Sequence, residues 1–148
     1  MNNRFFSNVV LLTGVLFLIS MATIAQGYWA LWDYKTQPSS SCLECDIFLD
    51  LLFSSILPVF LIAISHVFLF KFSSKKIFRI LITALILLSS WWIIDTEIFI
   101  EREASWSTYT NVWEVGFRLA VIPILTVGAL FLFLFDLLVE KISFKRKS

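Results

Sequence analysis

Four apolar runs, each long enough to cross a hydrocarbon core, constrain this chain more than any other feature. A bilayer core of about 30 Å takes about 20 helical residues, and the runs cover residues 8–32, 47–70, 77–100 and 112–139. None alternates with period two, and each is too long for a barrel strand. In lipid the backbone groups have only one another as partners, so such runs form helices. Their links, residues 33–46, 71–76 and 101–111, are short, which makes sequence neighbours antiparallel. The expectation is an all-α, polytopic membrane protein: an up-down four-transmembrane-helix bundle, with residues 1–148 as a single membrane domain. Composition agrees, because 59% of the residues are apolar and 16% charged, with a mean hydropathy of +0.86. A soluble domain carries about a quarter charged residues. The net charge of +1 gives no electrostatic ground for nucleic acid as a partner.

Lys and Arg set the orientation. Arg4, Lys71, Lys75, Lys76, Arg79, Lys141, Lys145, Arg146 and Lys147 are nine of the twelve basic residues and fall on one side. Lys35 and Arg102 lie in the opposite loops, and Arg118 lies inside the fourth run. The positive-inside rule then puts both termini and the middle loop in the cytoplasm of a bacterial inner membrane. Arg4, an apolar run and Thr23-Ile24-Ala25 before Gln26 have the outline of a signal peptide. The run continues through Trp29 and Trp32, past the length of a usual signal core, so it is expected to remain as a helix. Cleavage would leave three helices in the same orientation.

All six Trp and all three Tyr fall in the outer half or the outer loops. Phe5, Phe6, Phe72, Phe78 and Phe144 would supply the inner interfacial belt. Trp and Tyr are also the usual anchors of protein interfaces, so Trp91, Trp92 and Trp113 are candidates for partner contact. Ionisable residues share the outward bias: Asp50 in the second run, Asp95 and Glu97 in the third, Glu114 and Arg118 in the fourth. By helix rise Arg118 is about 9 Å and Asp95 about 8 Å inside its run, which puts them within reach of each other across a hairpin. Glu114 and Arg118 are also an i,i+4 pair. Either these charges pair to hold the bundle together, or they are offered to a partner helix, proton or cation. The inner half has only His66, Asp136 and Glu140 to continue a proton path, so conduction is disfavoured. His66, the single histidine, is about 30 Å from the cysteines by helix rise, and no metal site is expected. Pro58 and Pro123 should kink the second and fourth helices.

Cys42-Leu43-Glu44-Cys45 is the one motif with chemistry in it. In an oxidising outer loop the pair is expected to be a disulfide, although CxxC spacing also tunes thiols for exchange. This layout resembles the DsbB family of membrane oxidants over residues 30–46: four helices, cytoplasmic termini and a CxxC just before the second helix. That resemblance implies a thiol–disulfide oxidoreductase with Cys42 and Cys45 catalytic and a quinone cofactor. Two departures weigh against it. Leu49 stands where the family has a quinone-associated Arg, and residues 101–111 lack the second cysteine pair. A structural clip is the preferred reading, with no cofactor.

The stretch from Leu57-Pro58 through Phe72-Ser73-Ser74-Lys75-Lys76 to Ile94-Asp95-Thr96-Glu97-Ile98 is similar in layout to immunity proteins of pore-forming colicins of the A and N type. The shared features are an apolar second helix, a basic middle loop and a third helix ending in a short acidic segment. The resemblance implies a non-enzymatic protein that meets a toxin's hydrophobic hairpin in the bilayer, with Asp95, Thr96 and Glu97 in contact. Recognition between helices in lipid uses packing and a few polar contacts. The expected partner-binding set is therefore Asp95, Thr96, Glu97, Glu114, Arg118, Trp91, Trp92 and Trp113. The expected partners are membrane lipid and another membrane-inserted protein. An accessory subunit of a membrane complex would use the same surface.

Overall fold

A computed structural model describes residues 3–72 and 76–147, with side chains described for 13–65, 77–135 and 137. The elements are helices α1 (Asn3–Ala30), α2 (Ile47–Ser54), α3 (Ile56–Phe72), α4 (Lys76–Arg102) and α5 (Val112–Lys147), with single 3-10 turns at Trp32–Tyr34 and Ala104–Trp106. No strand occurs among the described residues. Four helical stretches are long and apolar enough to cross a membrane: Thr13–Ala30, Ile47–Ser65, Ile77–Trp106 and Val112–Phe135. The second is two helices, because Pro58 has no N–H for the Ser54 carbonyl and the ladder breaks at Ser55. Ser55 bridges the gap, its N–H donating to the Leu51 carbonyl at 2.9 Å and its Oγ to that of Leu52 at 2.7 Å. Pro123, by contrast, sits within α5, which continues past it.

Helix α4 packs chiefly on α5 and α3, and α1 on α5 and α2. One stripe of α4, at three- and four-residue spacing, supplies the centre: Leu87, Trp91, Asp95, Phe99 and Arg102 are all buried. Around Trp91 gather Ile19, Leu87, Ala120, Ile124 and Phe131. A second cluster joins Leu31, Ile47, Leu51, Ile98 and Phe99 nearer the loops. Two glycines let the backbones close. A Cβ on Gly116 of α5 would stand 2.4 Å from Thr96 Oγ1, and one on Gly27 of α1 would stand 2.2 Å from a Leu51 methyl.

Polarity is inverted relative to a water-soluble bundle. Thr23, Gln26, Thr83, Ser90, Asp95 and Thr96 are buried, whereas Phe17, Phe53, Phe60, Leu85, Leu125 and Phe133 face outward. An exterior of this kind requires apolar surroundings or a partner. His66, Asp136, Glu140 and the basic side chains of Arg4, Lys71, Lys75, Lys76, Lys141, Lys145, Arg146 and Lys147 lie outside the described side chains, as do Phe5, Phe6, Phe72 and Phe144.

Candidate functional site

Every candidate with a described side chain lies towards the end of the bundle that carries residues 31–46 and 103–111. Arg102, the last residue of α4, organises that end. Its side chain is 1% exposed, and its Nε and Nη2 donate to Asp50 Oδ2 at 3.2 and 2.7 Å. Nη2 also donates to the Cys45 carbonyl at 2.9 Å, and Nη1 to that of Gln37. The planar guanidinium thus ties α4, the first turn of α2 and the first loop together. Next to it Glu101 accepts from Ser39 and Ser41 at 2.9 and 2.7 Å, while the Ser40 N–H donates to the Glu101 carbonyl. Trp106 Nε1 reaches the Pro38 carbonyl. The two loops form one cap.

Within the cap Cys42 and Cys45 are joined by a disulfide with Cα atoms 5.3 Å apart. Both cysteines of the chain are in this bridge, so no further thiol of the chain can exchange with it. The quinone implied by the DsbB resemblance does not fit these residues. Leu49 offers no cation, and Arg102, the cation bonded to the cysteine loop, is already held by Asp50 and the Cys45 and Gln37 carbonyls. Tyr34 and Tyr109 sit edge-on to Phe99 from the two loops. Burial, reinforced by Tyr109 and Glu103, pushes the Tyr34 phenol above its ordinary value.

A second polar layer lies deeper in the bundle. Gln26 Nε2 donates to Asp95 Oδ2 between α1 and α4. One turn further in, the buried Trp91 donates from Nε1 to Thr23 Oγ1 at 2.8 Å, and Thr23 donates to the Ile19 carbonyl. Thr96 donates to the Trp92 carbonyl and packs beneath Gly116.

The third arrangement faces outward. Trp92 meets Trp113 and Phe117 edge-on, with ring centroids 5.7 and 6.2 Å away. Beside them Arg118 Nη2 bonds Glu114 Oε1 at 2.6 Å, with side chains 76% and 50% exposed. Asn111 Nδ2 completes Glu114 at 2.8 Å.

The eight residues proposed for partner contact therefore divide. Trp92, Glu97, Trp113, Glu114 and Arg118 are exposed, and Trp91, Asp95 and Thr96 are interior. The i,i+4 pairing of Glu114 with Arg118 is present. The expected approach of Arg118 to Asp95 is not, for a geometric reason. Gly116 faces α4, and two residues further along a helix is about 200° around it, so Arg118 points away. Sequence reasoning missed Gln26, which is uncharged, and the pairing of Asp50 with Arg102. The legible signal for that pairing was opposite charges at matched depth near the ends of two spans. No metal-binding cluster occurs among the described residues.

No protein-family model, no curated protein and no solved structure matches this chain.

Proposed function

We propose that this is a small non-enzymatic protein of the bacterial inner membrane with four crossings and both termini cytoplasmic. It acts by helix contacts with a membrane-inserted partner, and immunity against a pore-forming bacteriocin is the most concrete form of that action. The observation that carries the reading is the outward face of Trp92, Trp113 and Phe117 with the Glu114–Arg118 pair. Arg118 is about 9 Å inside the start of its helix by rise, and it turns away from the bundle instead of neutralising Asp95. An exposed ion pair at that depth is met by headgroups, water or a partner, and flanking aromatic rings are what partner helices anchor on. The basic residues gathered towards the termini and middle loop support the orientation.

The test expresses the chain in sensitive cells, challenges them with a panel of pore-forming bacteriocins and records potassium efflux. Protection against one class is expected, lost in Arg118→Glu and in Trp92→Ala with Trp113→Ala, and kept in Cys42→Ser with Cys45→Ser. Charge reversal at Asp95 is uninformative because that residue is interior. Failure to protect, together with a mixed disulfide trapped at Cys42 or Cys45, would overturn the reading. It would favour the alternative, a periplasm-facing thiol–disulfide enzyme acting through Cys42 and Cys45.

A further inference from the structure

Among the described residues, two buried side-chain polar atoms have no hydrogen-bond partner: Gln26 Oε1 and Asp95 Oδ1. Both belong to one pair, already joined by Gln26 Nε2–H donating to Asp95 Oδ2. Both residues are fully buried. With an ionised carboxylate the two leftover atoms are acceptors, and neither can serve the other. Buried acceptors without donors are costly, and more so when one carries charge.

The surroundings offer nothing else to satisfy them. Described residues of α1 and α3 carry no charged side chain. On α2 and α4, Asp50 and Arg102 are joined to each other, Glu101 accepts from Ser39 and Ser41, Glu97 is exposed, and Arg79 is about 24 Å from Asp95 by helix rise. On α5, Glu114 and Arg118 are joined on the outside. The Asp95 Oδ1 lies 3.3 Å from where a Cβ on Gly27 would stand, and Leu51 fills the adjoining space. A hard metal cation takes about six or more oxygen ligands, and two are free.

We propose that Gln26 and Asp95 are a proton-binding site, closed as a carboxylic acid–amide ring. Asp95 Oδ1–H donates to Gln26 Oε1 while Gln26 Nε2–H donates to Asp95 Oδ2. A hydronium ion of the solvent gives the proton, its O–H bond breaking to leave water as the Asp95 O–H bond forms, and the pair becomes neutral. Turning the Gln26 amide over exchanges the two carboxyl oxygens and leaves the same ring. The ring ties α1 to α4 with every polar atom satisfied, in a place where a lone carboxylate would be unsupported. This assigns Asp95 to the fold and is independent of the partner-binding reading.

The experiment uses the full chain in detergent at neutral pH. Infrared difference spectra between wild type and Asp95→Asn are expected to show a protonated carboxyl band in wild type and no loss of a carboxylate band. Asparagine supplies N–H where the acid has O–H, so its unfolding midpoint in SDS is expected to stay at the wild-type value. Gln26→Leu and Asp95→Leu are expected to lower it. Should Asp95→Asn fail to fold, the difference between unlabelled wild type and wild type with 13C-carboxyl aspartate reads the same band. Loss of a carboxylate band in Asp95→Asn, no protonated band in the labelled pair, or a lowered Asp95→Asn midpoint would overturn the proposal. A carboxylate reached by a bridging water would give the first of these.

Discussion

Replacing Arg102 with Met keeps most of the side-chain volume and removes four hydrogen bonds: two to Asp50, one to the Cys45 carbonyl and one to the Gln37 carbonyl. Breaking a buried ion pair from one side costs about 3–5 kcal/mol, because the other charge is left uncompensated. Asp50 is 18% exposed and keeps part of its hydration, so the expected loss is at the lower end, about 3 kcal/mol. That is about two orders of magnitude in the folding equilibrium, at about 1.4 kcal/mol per tenfold. The second substitution, Asp50→Leu, removes the stranded charge, and the double variant should recover about 1 kcal/mol or more of the loss. Unfolding of the purified protein in mixed micelles of rising SDS content, followed by tryptophan fluorescence, measures all four corners of the cycle. An Arg102→Met variant within about 0.5 kcal/mol of wild type, or a double variant no more stable than Arg102→Met, would refute the claim that this ion pair holds the cap.

Three further outcomes follow from the geometry. Gly116→Ala forces a methyl to within 2.4 Å of Thr96 Oγ1 and should cost about 1–3 kcal/mol. Adding Thr96→Ala should return part of that in the same SDS titration, and a Gly116→Ala chain as stable as wild type would show that α4 and α5 do not meet there. Opening the disulfide by Cys42→Ser with Cys45→Ser removes a ring spanning a sequence separation of 3, for which loop entropy allows about 2 kcal/mol. Arg102 still holds the Cys45 carbonyl, so hydrogen exchange of residues 37–45 should speed up while α4 stays protected. Exchange unchanged across the loop would mean the bridge constrains nothing. Finally, the Tyr34 phenol titrates above its ordinary value, so between that value and its folded value the unfolded chain ionises first. Its contribution to stability is present below the ordinary tyrosine range and is lost as pH rises through the folded value. Alkaline absorbance titration should lose its latest-titrating tyrosine in Tyr34→Phe, and an unchanged curve would contradict the burial argument.

Much of the fold was legible because hydropathy and helix rise are one-dimensional quantities. Counting along the chain places Asp50, Asp95 and Arg118 towards one end of their helices and marks Pro58 as a kink. The expected oxidising side of the first loop, with the CxxC spacing, identifies Cys42 and Cys45 as a disulfide pair. Depth, however, does not give rotation about the helix axis. Asp95 and Arg118 are matched in depth and opposite in charge, yet Asp95 turns in to Gln26 and Arg118 turns out to Glu114.

That rotation is set by residues the sequence does not single out. Gly116 seats α5 on Thr96, and Gly27 lets α1 approach Leu51 and Asp95. Each fixes which stripe of its helix is inward, and every charge follows at 100° per residue. Trp91 and Trp92 are adjacent in sequence, and one is core while the other is surface for the same reason. The clamp on the loops is likewise tertiary. Arg102 finds Asp50, Cys45 and Gln37 at separations of 52 to 65 residues, and such distant contacts leave no local pattern to read. The sequence by itself determined the four apolar helical stretches and where along each one the charges fall, because apolar length is additive along a chain. Only packing decided which faces met, because that depends on how close two backbones can come.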